Sequence, residues 1–345
     1  MPLTLHVDAD RWRTHLRSYV AAHAGVVPVA KGNGYGFGTP VLAVEAVALG
    51  VSTLAVGTYD EIASVTPQFP GDILVLSPWR QGDDLGLTDD NRVIHTVSRL
   101  TDLRDLAESN RRPRVVVEVV TSMRRHGIAA TEIGRAVSLL DQVRFEGWAL
   151  HLPLDGDRMA QARDLSRLFV ATSGSDGDRL WLSHLTGGEA DQLAAETSTE
   201  VRLRVGTALW LGDDRVALKA RASVLDVHAV RRGQRFGYRQ HRAARDGLIL
   251  VVAGGTAHGV ALEAPASATT MRQRAVSVVR GSLEAVGQAL SPFHVAGKKR
   301  WFAEPPHMQC SLIWLPASTD PPAIGDEIDV DVRYTTTRFD RIMWT

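Results

Sequence analysis

The chain reads as an α/β protein, an N-terminal (β/α)8 barrel followed by a β-rich C-terminal domain. Three observations predict this. Apolar runs of strand length recur eight times in the first two thirds, helix-like segments separate them, and after about residue 212 the pattern changes to alternation. The runs are VVPVA (26–30), TLAV (53–56), ILVL (73–76), RVIHTV (92–97), VVVEVV (115–120), FEGWAL (145–150), LWLSHL (180–185) and VRLRV (201–205). Between them lie segments such as VLAVEAVALG, LTDLRDLAES, TEIGRAVSLL and RDLSRLFVAT, and strands alternating with helices imply a parallel sheet. Beyond residue 212, LKARASVLDVHAV and EIDVDVRYTTT alternate between turns such as DPPAIGDE, as a β domain does. The expected division is therefore 1–212 and 213–345.

Composition narrows the function classes. With 345 residues and 44% hydrophobic content the chain can bury a large core and fill more than one domain. Lys plus Arg equals Asp plus Glu at 39 each, so no net field draws it to nucleic acid or an anionic membrane. No apolar run approaches the roughly 20 residues of a membrane span, and MPLTLHVDAD lacks the regions of a signal peptide, so a cytoplasmic location is expected. The single cysteine, Cys310, allows no internal disulfide, and no metal site is expected. Alone, Cys310 reads as a small buried hydrophobe.

In a (β/α)8 barrel the active site lies at the C-terminal ends of the strands, and polar residues do gather there: Lys31, Ser77, Arg125, His151, Thr186, Arg204 and Gly206. The most informative run is VPVAKGNGYGFG (27–38). The chain has four lysines, and only Lys31 ends a buried-looking strand. A lysine held there loses hydration, which lowers its pKa and leaves an amine able to attack an aldehyde. Gly32, Gly34, Gly36 and Gly38 let the backbone crowd a ligand, and Tyr35 offers a hydroxyl. The plainer alternative is a strand-to-helix turn with a solvated lysine.

This run resembles the lysine motif AVVKANAYGHG of the alanine racemase family, and further matches follow in family order along nearly the whole chain. The resemblance implies a pyridoxal 5'-phosphate (PLP) enzyme with a barrel and a β-rich domain that the opening strand, residues 3–7, joins. It makes Lys31 the Schiff-base lysine and Tyr35 a phosphate ligand, and VDADRW (7–12) looks like the family's IDLxAL segment. LRVGTALWLG (203–212) resembles VRPGIALYG. That places Arg204 at the cofactor ring nitrogen, where a permanent cation favours racemisation over decarboxylation, with Gly206 and Thr207 on the phosphate. TSMRRHG (121–127) resembles TGMGRLG, so Arg125 faces the phenolic oxygen and the substrate carboxylate, while the family's upstream lysine and aspartate fall on Glu118 and Val120. ALHLP puts His151 beside the ring, LSHLTGG puts Thr186 on the phosphate, and VRYTTTRFDRI, resembling YRVPRIF, brings Tyr334 to it.

Two departures matter. The family's GYADG, whose tyrosine is the second base and comes from the partner subunit, stands here as GTAHG (255–259), with Thr256 for tyrosine and His258 for aspartate. The family's MDQ stands as MQC, leaving Met308 and Gln309 for substrate binding. A threonine hydroxyl has no useful acidity near neutral pH, so His258, Cys310 or a water is the candidate acid or base on that face. The expected function is a PLP-dependent amino-acid racemase or epimerase, a head-to-tail homodimer whose substrate need not be alanine. The alternatives are other PLP chemistry, such as decarboxylation, elimination or one-face exchange, and a non-catalytic PLP-binding protein.

Overall fold

The computed structural model describes residues 2–23, 25–82, 90–109, 111–173, 179–212, 215–262 and 289–345. It resolves into two compact units, Arg13–Gly34 with Gly38–Asp214, and Met1–Trp12 with Tyr35–Phe37 and Arg215–Thr345.

In the first unit all eight apolar runs are strands. After β1 (Leu3–Val7), which belongs elsewhere, come β2 (Val26–Pro28), β3 (Thr53–Val56), β4 (Asp72–Val75), β5 (Val93–Val97), β6 (Arg114–Val119), β7 (Arg144–His151), β8 (Leu180–Ser183) and β9 (Val201–Val205). They pair in parallel in the order β2-β9-β8-β7-β6-β5-β4-β3, and a parallel bridge between Val29 and Ala55 joins the two ends into a barrel. Both faces of such strands are covered, which is why the runs are apolar throughout and not alternating. Val27, Ala55, Leu74, Ile94, Val116, Ala149 and Trp181, one from each of seven strands, pack together as one buried cluster. The strand expected over 180–185 stops at Ser183 because His184 turns to a left-handed φ of 64°.

Helices follow the strands: α1 (Ala9–Ala22) precedes β2, and α2 (Thr39–Ala48), α3 (Ile62–Val65), α4 (Leu100–Glu108), α5 (Ile133–Val137), α6 (Arg158–Ser173), α7 (Gly187–Thr197) and α8 (Thr207–Leu211) come after it. The segment TEIGRAVSLL is less helical than expected, with only Ile133–Val137 an α-helix between 3-10 turns. Gly134 weakens the helix from inside, and the Ser138 hydroxyl donates back to the Arg135 carbonyl at its end. Among the described residues no helix is long and apolar enough to cross a membrane.

The second unit is built on β10 (Leu218–Val230), which pairs antiparallel with β1, so the opening strand does join the C-terminal sheet. The remaining strands are the hairpin β11 (Arg235–Phe236) and β12 (His241–Arg242), then β13 (Gly247–Ala253), β14 (Leu290–Val295), β15 (Lys298–Phe302), β16 (Cys310–Pro316), β17 (Glu327–Asp329) and β18 (Arg341–Trp344). The sheet runs β14-β15-β16-β13-β10-β1-β18, with β17 on β10. Leu3, Val224, Leu250, Val252, Phe293 and Ile313 form its core. Of the alternating EIDVDVRYTTT only Glu327–Asp329 is strand, because the Thr336 and Thr337 N–H groups both donate to the Arg333 carbonyl and curl the chain into a turn.

At the N-terminal end of the barrel, Arg114 at the start of β6 forks onto Asp72 of β4 and reaches Glu146 of β7 at 2.6 Å. Arg179 continues the chain of charges from Glu146 at 3.0 Å to Glu200 at 2.8 Å. Removing Arg114 leaves two carboxylates facing each other beside strand backbone. Arg114→Met is expected to lower stability by about 2 kcal/mol, less than a fully buried pair loses because Asp72 stays partly solvated. An unchanged urea midpoint for the barrel transition would show that this network contributes little.

Candidate active site

The chain leaves β2 held on both sides, with the Val29 N–H donating to Val205 O and the Ala30 N–H to Ala55 O, each at 2.8 Å. Lys31 follows at once, at the C-terminal mouth of the barrel. The turn beyond it is left-handed at Gly32, Gly34, Gly36 and Gly38, and Tyr35 among them has φ 55°. At Gly34 the glycine is obligatory twice over, since a Cβ there would come 2.6 Å from the Thr39 nitrogen. Glu61 ties this turn to the next loop, accepting the Gly32 N–H at 2.8 Å and the Gly57 N–H at 2.7 Å.

Four of the expected site residues share this mouth. Arg125 sits on a turn that folds back along β6, with Val120 N–H donating to Ile128 O and Ile128 N–H to Glu118 O. Gly127 makes the turn possible, because a Cβ there would meet the Val120 nitrogen at 2.2 Å. The fold-back leaves the Arg125 guanidinium 3.9 Å from the buried Glu118 carboxylate. Among the described residues the second Glu118 oxygen, Oε2, has no hydrogen-bond partner. Arg204 is buried in β9, and its Nη2 and Nε donate to the carbonyls of Leu150 and Leu182 at 2.9 and 3.4 Å. His151 ends β7, its Nδ1 2.9 Å from the Ser183 hydroxyl, and the His184 ring packs edge-on against it at 4.8 Å.

The electrostatics follow from this crowding. Lys31 reaches open solvent, yet the surrounding protein strips part of its hydration and lowers its pKa; Arg125 and Arg204 lower it further, against an opposing pull from Glu61. Burial first, then Arg204 and Arg125, push His151 down to about 3, so it is a neutral imidazole at physiological pH. Burial draws Arg204 down to about 10, still far above neutrality, so it keeps its charge.

The expected phosphate ligands lie at two helix starts on the same unit. Thr186 is the N-cap of α7, where its hydroxyl accepts the Glu189 N–H at 3.2 Å while Glu189 accepts the Thr186 N–H at 2.7 Å. Gly206 caps α8 and Thr207 opens it. That short helix is anchored by Trp210, whose indole N–H donates to Val29 O at 2.8 Å.

Tyr35 and Tyr334 belong to the second unit, both buried, and a Cβ on Gly36 would lie 3.6 Å from the Tyr334 ring and 2.9 Å from that of Phe339. Burial pushes the Tyr334 phenol up to about 12, with Arg215 over its ring at 5.6 Å pulling the other way. Thr256, Met308 and Gln309 are exposed and line one cleft. His258 is not a solvated turn residue. It is buried, its Nδ1 accepts the Gly255 N–H at 3.2 Å, and its Nε2 sits 3.0 Å from Asp340, which also accepts the Leu3 N–H. Both ring nitrogens are thus engaged within the β-rich unit.

Sequence reasoning passed over Glu61, Ser183 and His184. Two of them stood in LSHLTGG beside Thr186, a readable signal. Glu61 left none, because only the folded loops bring it to Gly32.

Comparison with known proteins agrees with this geometry. Residues 7–214 match the family model described as alanine racemase, N-terminal domain. The alanine racemases of Mycobacterium bovis and Mycobacterium tuberculosis are 26% identical over 267 residues, covering 70% of this chain and 68% of theirs. Among solved structures, alanine racemase from Clostridium difficile 630 superposes with a TM-score of 0.74 at 16% identity, covering all of this chain and 96% of its own. The enzyme from Bartonella henselae, solved with covalently bound pyridoxal phosphate, gives 0.73 at 16% identity, covering 97% of this chain and 91% of its own. The match to the family model spans more than half of the chain and includes the whole mouth of the barrel, and on that ground the chain belongs to the alanine racemase family.

Proposed function

We propose that the barrel mouth holds PLP and that the protein is a PLP-dependent amino-acid racemase or epimerase with an altered second base. The observation that supports this best is the mouth itself. An amine with a lowered pKa shares it with two guanidinium groups, one half-exposed and one fully buried, while Glu118 supplies a buried carboxylate with an unsatisfied oxygen. The amine and the two guanidinium groups fit a ligand that is both an aldehyde and an anion, with Glu118 as the counter-charge among the cations. Lys31 would hold the aldehyde carbon; Thr186, Gly206, Thr207, Tyr35 and Tyr334 are the proposed phosphate ligands; Arg125 and His151 would flank the ring.

When bound, PLP supplies a conjugated ring that takes up the electron pair released as the α-proton leaves. The chain's own groups direct that capacity. Arg204 carries no proton acceptor and is pinned by two carbonyls, so set against the ring nitrogen of a bound PLP it would leave that nitrogen unprotonated, which would favour reversible proton transfer over decarboxylation. Lys31 Nζ is the proton carrier on one face. Neutral His151 adds no further positive charge to a mouth that already holds two guanidinium groups. The substrate carboxylate is assigned to Arg125, Met308 and Gln309. We further propose a division near residue 212, a cytoplasmic location, and a head-to-tail homodimer in which a partner copy's β-rich face completes each site.

One-face exchange is the second reading, and Thr256 favours it, since a hydroxyl of its acidity moves no α-proton near neutral pH. Incubating PLP-loaded protein with L-alanine in D2O separates the two. The expected result is deuterium at the α-carbon with weak inversion, because a positioned acid or base is worth about 10²- to 10⁴-fold. Thr256→Tyr should raise alanine inversion. Rapid inversion of L-alanine by the unmodified protein would show that the tyrosine loss has no consequence, and absence of exchange with every amino acid tried would remove the enzymatic reading.

Charge at the mouth also fixes a pH dependence. PLP uptake, followed by its visible absorption, requires neutral Lys31 and so should reach its midpoint below the ordinary lysine value. Arg125→Met removes a like charge, eases protonation of Lys31 and should move the midpoint up; Glu61→Gln removes the opposing charge and should move it down. Shifts of the same sign in both variants would contradict the electrostatic account.

A further inference from the structure

The balanced charge of the whole chain hides a local excess. Between residues 231 and 246 stand six arginines, Arg231, Arg232, Arg235, Arg239, Arg242 and Arg245, against one carboxylate, Asp246. All six are exposed. Among the described residues no ion pair or side-chain hydrogen bond engages any of their guanidinium groups. At Arg231 and Arg232 it is the backbone N–H that donates, to Gln234 and Asp246. Arginines elsewhere in the chain, such as Arg114, Arg163 and Arg179, sit on carboxylates.

The segment is a built hairpin. Gly233 N–H donates to Ala243 O at 2.8 Å, Ala243 N–H to Gln234 O at 2.9 Å, and Gln240 N–H to Gly237 O at 3.2 Å across the tip. Phe236 pairs with His241 and packs against the cluster of Val230, Ala243 and Ile249. Side chains alternate along a strand, so Arg235 and Arg242, which pair with each other, project from the opposite face. Facing Cβ atoms in such a pair lie about 5 Å apart, and like charges directly opposite destabilise it. A hairpin that folds against this repulsion holds a fixed double cation out to solvent.

An aromatic ring stands beside it. Tyr238, at the tip, is 82% exposed, yet it is held in place. Its N–H donates to Glu304 Oε2 at 2.9 Å, and its ring centroid lies 4.3 Å from that of His307, whose Nε2 is 2.7 Å from Glu304 Oε1. Gly237 permits this docking, since a Cβ there would meet Glu304 Oε2 at 2.2 Å. One side of the Tyr238 ring leans on the imidazole and the rest is open.

We propose that this hairpin binds single-stranded nucleic acid, with the arginines on its phosphates and Tyr238 against an unpaired base. This is independent of the racemase reading. A phosphodiester strand supplies closely spaced anions for cations on both strands and both turns, and its condensed counterions are released on binding. Every base has a flat face that a fixed aromatic ring can take up whatever the sequence. An acidic peptide matches the charge without supplying that flat face. An anionic membrane surface favours a basic patch with an apolar side to bury, and the outward side chains here are polar apart from the tyrosine.

Fluorescence anisotropy of the whole chain with labelled oligouridylate and oligothymidylate, each about 16 nucleotides long, tests this. Both should bind at low salt, and log K should fall against log salt by about 0.7 for each phosphate engaged. Preference for one of the two identifies RNA or DNA as the source of the strand. Arg235→Gln combined with Arg242→Gln should weaken binding and flatten the slope by about 1.4. Its urea midpoint should be unchanged or higher, since the opposed charges are gone. Tyr238→Ala should weaken binding about tenfold at an unchanged slope. A control pair, Arg104→Gln with Arg135→Gln on exposed positions of α4 and α5, removes the same charge and should bind as the unmodified protein does. No binding at low salt, an unaltered slope in the hairpin variant, or an equal loss in the control pair overturns the proposal. So does tighter binding of polyglutamate or phosphatidylserine vesicles, or salt-sensitive self-association without oligonucleotide binding, where the hairpin variant abolishes it. Those results assign the patch to an acidic protein, a lipid surface or a second copy of the chain.

Discussion

The arrangement depends on positive charge confined at the barrel mouth. Lys31, Arg125 and Arg204 arrive there from three different strand ends, in surroundings that water only partly reaches. Burial first, and then the two guanidinium charges, disfavour the ammonium form of Lys31. Its pKa falls, His151 stays neutral, and Glu118 is drawn in as a counter-charge. A mouth of this kind stores electrostatic strain that an anionic, amine-reactive ligand relieves. The same crowding that makes the free site unfavourable therefore selects what it binds.

The backbone supplies the means. Gly34 and Gly127 let two loops turn back over the strand ends, and Glu61 ties the Lys31 turn to its neighbour. In the β-rich unit Gly237 and Gly255 do the same for a different purpose, bringing a carboxylate, an imidazole and a thiol beside Thr256. Thr256 thus lies beside a titratable row of Glu304, His307 and Cys310, and His258 nearby is held to Asp340.

Much of this was legible in the sequence, for physical reasons. Strands buried on both faces must be apolar throughout, so the eight barrel runs declared themselves, and β10 was readable to its ends from alternation alone. Lys31 stood out because lysine is rare here and glycine surrounds it. What stayed hidden depends on closure in three dimensions. Glu118 meets Arg125 only because the chain folds back at Gly127, and His258 meets Asp340 across 82 positions. The helix expected over TEIGRAVSLL shortened because Gly134 and Ser138 act locally against a pattern that periodicity reads as continuous. The spacing of Glu304, His307 and Cys310 was in plain view, but three-residue steps outside a helix carry no signal until the loop is folded.

The central claim is that the barrel mouth makes Lys31 the amine that captures an aldehyde cofactor. Borohydride reduction of PLP-loaded protein followed by peptide mass mapping tests it most directly. The account predicts a single reduced pyridoxyl adduct on Lys31, absent from Lys31→Ala. An adduct on Lys219, Lys298 or Lys299, or one that survives Lys31→Ala, would contradict it.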